Sequence, residues 1–308
     1  MEADGMQAVV FEEFGGPEVL TVQEVPEPHA GPGQVRIKVH AAGVNPIDFK
    51  VRRGYTKGFI DPVFPAIPGL EVAGVVDEAG EGAGFAVGDE VVGWSDGGSY
   101  AEYAIAGDVA RKPAGVSWAQ AVGVPVAGAT AQRVLDLLKV KSGETILIHG
   151  AAGAVGSVAT QLAKLAGLTV VGTASPKNHE FLRGLGAIPV EYGDGLVERV
   201  REAAPQGVDA VFDTAGQGGL QESIELRGGT DRIVTIADFA AAELGIEVSA
   251  VGTATPDEVR STLAAQLQAV ADGKLTIRVA ETFPLPDAAK AQELSEGGHP
   301  QGKLVLTP

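Results

Sequence analysis

The chain has 308 residues, 45% of them hydrophobic, enough for two packed domains. A formal net charge of −17 repels a phosphate backbone and counts against a nucleic-acid partner, while leaving room for a small anion held by local donors. With no cysteine there is no disulfide, no thiolate nucleophile and no zinc site built on Cys ligands.

From the N-terminus, MEADG reads as a leader with no assigned role, ahead of the strand-like MQAVVFEEF. No basic segment followed by an apolar run is found there, so no signal peptide is expected and the cytoplasm is the expected compartment. QVRIKVHAAGV then alternates, GLEVAGVVDEAG is rich in β-formers, and VGDEVVGW and SYAEYAIA follow between glycine and proline clusters. Short strands at this spacing predict a barrel-like or sandwich-like all-β domain. The uncharged stretch Pro113 to Gln132 is long enough to raise a membrane span. Its prolines, glycines and glutamines, and its weakly apolar alanines, argue against one.

From about Val126 the texture changes. TILIHG (residues 145–150) is a buried strand, and AVGSVATQLAKLAG places Val155, Val158, Ala159, Leu162, Ala163 and Ala166 on one helical face. The strand LTVVGTAS, a helix through Phe181 and Leu182, the strand AIPVEY, a helix near residues 196–201 and the strand VDAVFDTAG come next, then RIVTIAD and GIEVSAVG. Strands alternating with helices predict parallel βαβ units in a doubly wound sheet. The segment from Leu275 onward returns to strand, helix, strand and is assigned back to the first domain. The expected division is residues 1–126 with 272–308 in a mostly-β domain, and residues 127–271 in a Rossmann α/β domain.

The turn Gly150-Ala-Ala-Gly153-Ala-Val-Gly156 follows a predicted strand directly and opens a predicted helix. There the first helical N–H groups and the positive helix end face a pyrophosphate, and glycine lets the backbone approach it. The spacing is not a strict G-x-G-x-x-G, and the competing reading is a tight βα turn without ligand. The strand–turn–helix context with further β/α alternation favours a dinucleotide site over Gly150, Ala152, Gly153, Ala154, Val155 and Gly156. No Gly-Lys-Ser/Thr follows, which excludes a P-loop. About 20 residues on, an NAD site places an acid for the ribose 2′-OH. Here Thr173, Ser175, Lys177 and Asn178 stand there, with no acid before Glu180. Hydroxyls, an amide and a cation suit a 2′-phosphate, so NADPH is expected rather than NADH. Lys177 taken alone reads equally as a solvated residue at a helix start.

MQAVVFEEFGGPEVL, GVNPID, IPGLEVAGVV, VGDEVVG, GGSYAEY, LIHGAAGAVG, LRGLGA and GGHPQGKLVL together span nearly the whole chain. With them the chain resembles the zinc-free quinone oxidoreductases of the medium-chain dehydrogenase/reductase superfamily, the group that includes zeta-crystallin. The resemblance implies a GroES-like substrate domain, a Rossmann domain and NADPH held in a cleft between them. It also implies a homodimer and hydride transfer to a small-molecule quinone or α,β-unsaturated carbonyl. Zinc relatives carry a catalytic Cys and a GHE histidine. Gly69-Leu70-Glu71 stands at the latter place and no cysteine exists, so no metal is expected.

Asn45 in GVNPID is the candidate amide on the substrate or nicotinamide side, with an Asx turn before Pro46 as the competing reading. Many relatives have tyrosine where Lys50 stands. Tyr55 could line the cleft and donate to a developing oxyanion, or be partly buried packing. Thr130 resembles the family threonine near nicotinamide, against a helix-start role. Tyr192 matches a position flanking the 2′-phosphate, and Lys303 matches the family's C-terminal GK lysine near the cofactor. His149 reads as structural.

Two rivals remain. GWSDG, around Ser95, matches the G-x-S-x-G nucleophile elbow literally, and His149, His179 and His299 lie downstream. The elbow needs a helix after the serine, and DGGSYAEYAIA reads as turn and strand. The second rival is a protein that binds NADPH as a sensor or stabiliser without turnover.

Overall fold

The computed structural model describes residues 5–250, 252–298 and 300–308. Leader residues 1–4 and His299 lie outside them. Two compact units form, one of residues up to 126 with Thr255–Pro308, the other Ala127–Ala254.

The first unit is built on one long strand, Val35–Val44. Its first half alternates buried and exposed residues, and its second half is buried throughout. The cause is its neighbours: Glu71–Ala79 pairs along it, Tyr103–Ala106 joins residues 35–38, and Lys303–Thr307 joins residues 42–44. Breaks in register at Arg36/Ile37 and Val39/Ala41 mark bulges, which bend a strand and raise its twist. The full sheet has seven strands, in the order Val279–Pro284, Lys303–Thr307, Val35–Val44, Glu71–Ala79, Glu90–Trp94 and Val109–Arg111, with Tyr103–Ala106 to the side. Val9, Ile37, Val72, Val91, Tyr100 and Leu306 are among its core.

Helix Ala288–Glu296 joins the parallel strands Val279–Pro284 and Lys303–Thr307. Against it packs helix Pro46–Arg52, whose Arg52 is fully buried and donates to Gln292 Oε1 at 2.7 Å, the Gly15 carbonyl at 2.8 Å and Glu296 at 2.9 Å. Helix Pro256–Ala271 starts at a Thr255/Glu258 capping box. The expected boundary at 272 placed it with the Rossmann segment. It groups instead with the β-rich unit, because it packs on strand Val109–Arg111 and Arg260 reaches Asp108 at 2.8 Å.

The second unit is a six-stranded, all-parallel sheet ordered Ile188–Val190, Thr169–Thr173, Thr145–His149, Ala210–Asp213, Ile233–Thr235, Glu247–Val248. In chain order this is 3-2-1-4-5-6, the Rossmann order. Thr145–His149 and Ala210–Asp213 are buried at every residue, as strands covered on both faces must be. Helix Ala154–Leu165 buries Val158, Ala159 and Ala163 of the expected face together with Ser157, Thr160 and Gln161, whereas Val155 and Leu162 are half-buried and Ala166 is exposed. The buried face is therefore turned toward the polar residues relative to the stripe expected from the sequence, and only Val158, Ala159 and Ala163 of that stripe are fully covered. The uncharged stretch 113–132 is divided between helices Trp118–Val122 and Pro125–Leu138, and no helix among the described residues is long and apolar enough to cross a membrane.

Candidate active site

In the Rossmann unit the strand order reverses between Thr145–His149 and Ala210–Asp213, and ligands of open α/β sheets bind at the carboxyl ends of such a switch point. The Gly150 turn leaves the sheet there. Gly150 has φ +69°, and a side chain on it would meet Thr214 Oγ1 at 2.8 Å. Gly156 has no room for a Cβ, which would lie 2.2 Å from the Gly150 carbonyl oxygen. Gly153 is the N-cap of helix Ala154–Leu165 and makes no side-chain cap. The first amides of that helix, at Ala154, Val155 and Gly156, thus open toward the turn, as an anion site requires. Ala152 is buried within the turn.

Neighbouring loops are tied to this turn. Ala151 N–H donates to the Thr173 carbonyl at 3.0 Å, and Ala174 N–H to the Val190 carbonyl at 3.1 Å. Thr173 is buried, and its hydroxyl accepts from Gly150 N–H at 3.1 Å, so it props the turn. Ser175, half-buried, accepts from Asn178 Nδ2 at 3.2 Å, and Lys177 is exposed beside them. Tyr192 is exposed after the third strand, its carbonyl held by Arg199. Ser175, Lys177, Asn178 and Tyr192 thus follow adjacent strands on the carboxyl edge.

Beyond the switch point, Asp213 is fully buried. It accepts from the Ala215 and Gly216 amides at 3.0 and 3.1 Å and from the Thr235 hydroxyl at 2.7 Å. His149 is buried, its ring 2.8 Å from the Ser223 hydroxyl, and burial lowers its pKa. It ties the first strand to helix Leu220–Arg227. Thr130 lies in the interior of helix Pro125–Leu138 and is half-buried, which removes the helix-start reading.

In the β-rich unit, strand register gathers a second group. Gly43 pairs with both Glu71 and Val305, so Glu71 and Lys303 flank it, and Asn45 follows at the end of its strand. Lys303 and Glu71, 2% and 0% exposed, form an ion pair. Lys303 Nζ also donates to Asn45 Oδ1 at 2.7 Å, and Asn45 Nδ2 donates to Glu71 Oε2 at 2.8 Å. The other Glu71 oxygen accepts from Val126 N–H at 2.7 Å. The Asn45 side chain bridges these charges, and Asn45 also opens helix Pro46–Arg52 as its N-cap, in a capping box with Asp48. Its backbone N–H donates to Asp48 Oδ2 at 2.9 Å, which also accepts from the Tyr100 hydroxyl at 2.8 Å. Burial raises the Asp48 pKa to about 6 against the pull of those hydrogen bonds and of Lys303, and raises that of Tyr100 further above its ordinary value.

Lys303 is therefore committed to Glu71 and Asn45 within the β-rich unit. Tyr55 is 71% exposed, which rules out its reading as partly buried packing. Lys50 is half-buried, and burial lowers its pKa. Ser95 follows strand Glu90–Trp94 and leads into turns and then strand Tyr103–Ala106, so the strand–serine–helix elbow is not formed. The roles of Glu71 and Asp48 were not foreseen. A lone acid in the apolar run GLEVAGVV was the available signal for the first.

No three His, Cys, Asp or Glu side chains among the described residues are grouped to hold a metal ion, and the Lys303 ammonium already occupies the Glu71 carboxylate. This donor set does not fit zinc.

The alcohol dehydrogenase GroES-like domain family matches residues 31–136, and the zinc-binding dehydrogenase family matches residues 185–306. Quinone oxidoreductase of Homo sapiens is 32% identical over 98% of this chain and 97% of its own, and that of Sus scrofa is 34% identical over the same shares. The structure of the quinone oxidoreductase from Coxiella burnetii superposes with a TM-score of 0.85 at 35% identity, covering 99% of this chain and all of the other. Mycobacterial Rv1454c complexed with NADPH gives 0.85 at 30% identity, over 98% and 100%. The chain belongs to the quinone oxidoreductase group of the medium-chain dehydrogenase/reductase superfamily.

Proposed function

We propose that this protein is a zinc-independent, NADPH-dependent reductase of a quinone or an α,β-unsaturated carbonyl, acting in the cytoplasm as a homodimer. One observation carries the reading: a glycine turn with no room for a side chain at Gly156 opens an uncapped helix at the switch point of a Rossmann sheet. The amides from Ala152 to Gly156 would hold the pyrophosphate. Ser175, Lys177, Asn178 and Tyr192 would surround the 2′-phosphate, where no carboxylate opposes it before Glu180. Thr130 supplies a hydroxyl for the nicotinamide end.

NADPH, when bound, supplies two electrons as hydride. A quinone accepting that hydride and one proton would become the hydroquinone, and an enone the saturated carbonyl with the same balance. The protein's part is to fix the acceptor and to stabilise the oxygen that gains charge, a task for neutral N–H donors such as Asn45.

The test is NADPH oxidation at 340 nm with 1,4-benzoquinone, a linear 2-alkenal, an enone and crotonyl-CoA, repeated with NADH and with EDTA. EDTA-insensitive turnover of one acceptor, faster with NADPH, supports the reading. NADPH binding that raises the melting temperature without any turnover would replace it by the sensor reading.

A further inference from the structure

The buried Lys303–Glu71 pair is poorly explained by stability. Taking both charges out of water is costly, and apolar residues of similar volume often serve as well or better. What the pair achieves is visible at Asn45. A carboxamide can turn end over end with little change of shape. Here an ammonium, which only donates, faces Oδ1, and an ionised carboxylate, which only accepts, faces Nδ2. Turning the amide would set its N–H groups against Lys303 and its oxygen against Glu71. Glu71 cannot swing away, because Val126 N–H holds its other oxygen. The space over Gly43 is filled as well, since a Cβ there would lie 2.2 Å from Glu71 Oε2.

We propose that Lys303 and Glu71 are positioning residues that lock the Asn45 carboxamide in one orientation. Its second Nδ2–H, without a partner among the described residues, is then the donor offered to the carbonyl oxygen of the acceptor. The inference rests on the reductase reading and assigns that site its oxygen donor. An amide locked the other way would present a lone pair to an oxygen gaining negative charge, and would oppose the reaction.

The direct variant is Glu71→Gln. The substituted side chain no longer offers two acceptor oxygens: with its oxygen on Val126 N–H its NH2 group opposes both Lys303 and Asn45, and with its oxygen on Lys303 and Asn45 the Val126 contact is lost, so in either case the carboxylate that fixed Nδ2 is gone. Two readouts follow the change in the full-length protein. In 15N–1H spectra, the Asn45 side-chain pair, identified by its loss in Asn45→Ser, shows one strongly shifted proton in the wild type and loses that shift in E71Q. In steady-state kinetics kcat falls roughly 100-fold, the size of effect seen when one oxyanion donor is removed, while the Kd for NADPH by fluorescence stays within about twofold.

Lys303→Met gives a second signature. With the ammonium gone, nothing on that side selects the Asn45 oxygen, so the shifted Asn45 amide proton is lost in K303M as well. Lys303→Arg, which keeps a cationic donor there, should retain more of kcat and of the amide shift than K303M, a difference that loss of packing would not produce. An unchanged Asn45 amide signal in E71Q, or a kcat within about threefold of wild type, overturns the proposal. Absence of turnover in the wild type overturns the reductase reading and the donor role together, and the amide signals then report the lock by itself.

Discussion

Gly156→Ala sets two opposed effects against each other in one methyl group. In an ordinary helix the change would stabilise by about 1 kcal/mol, because alanine gives up less backbone entropy. At Gly156 the new Cβ would lie 2.2 Å from the Gly150 carbonyl oxygen, 2.8 Å from Ala151 Cα and 2.9 Å from the Gly150 carbonyl carbon. All three are backbone atoms, so no side chain can rotate away. Relief needs the turn and the helix to part by about 1 Å, and such overpacking costs about 1–3 kcal/mol. The turn is also stiff, since Gly150 is held at φ +69° and its N–H is bonded to Thr173. The three backbone contacts place the clash toward the upper end of that range, so it outweighs the propensity gain, and a net loss of up to about 2 kcal/mol lowers Tm by up to roughly 6 °C. The helix amides move with the turn, so the Kd for NADPH rises at least about tenfold, equivalent to about 1.4 kcal/mol. Gly153→Ala is the control. Its Cβ would lie 3.4 Å from the nearest atom, at an ordinary φ of −73°, so both quantities change by much less. Differential scanning fluorimetry and a fluorescence titration measure them. A G156A protein as stable as wild type, with unchanged NADPH affinity, would refute the claim that glycine is required there.

Two pH predictions run in opposite directions. Asp48 has a folded pKa of about 6, above its ordinary 3.8, so the native state binds the extra proton between those values and its stability falls as pH rises from about 4 to 6. Asp48→Asn can still accept from Tyr100 and from the Asn45 backbone. Measured by urea unfolding, it should gain about 3 kcal/mol relative to wild type between pH 4 and 7, and a constant difference would count against this. For His149 the folded pKa is lowered by burial, so its contribution is complete above about 6.5 and is lost as pH falls below that value. His149→Gln should flatten the acid-side loss of stability from pH 6.5 downward; an unaltered slope would assign that loss elsewhere. Lys177→Ala should weaken NADPH about threefold to tenfold and leave NADH unaffected, by titration of each cofactor, and equal losses for both would remove the lysine from the 2′-phosphate site.

Much of the Rossmann unit was legible because its signals are local. TILIHG and VDAVFD are short segments with apolar centres (Ile146–Ile148 and Ala210–Phe212), and the glycine turn sits between a strand and a helix that each declare themselves within a dozen residues. The helix Pro256–Ala271 was misassigned for the same reason. Its period shows that it is a helix but does not say which sheet it covers, and that is decided by contacts such as Arg260 with Asp108, 152 residues away in the chain. The same loop-and-helix pattern around Thr130 suggested a helix start, because periodicity marks a helix without marking its first residue.

The cluster around Asn45 shows where local reading stops and what a further reading would use. Lys303 and Glu71 are 232 residues apart, and the residues between them form most of the molecule. Each, read alone, is a charge at the edge of an apolar strand, the one in GKLVL and the other in GLEVAGVV. A lone buried charge is too costly to be left unpaired, so each such residue implies an opposite partner somewhere in the fold. Two strands with unexplained charges of opposite sign are therefore candidates to lie close together, and here only one strand, Val35–Val44, separates them in the sheet. Gly43 on that strand completes the inference: after Ala41 and Ala42 and before Val44 it marks a place where something must approach the backbone closely, and what approaches is the Glu71 carboxylate and the Lys303 side chain. Charge balance and one glycine together point to both side chains meeting beside Asn45.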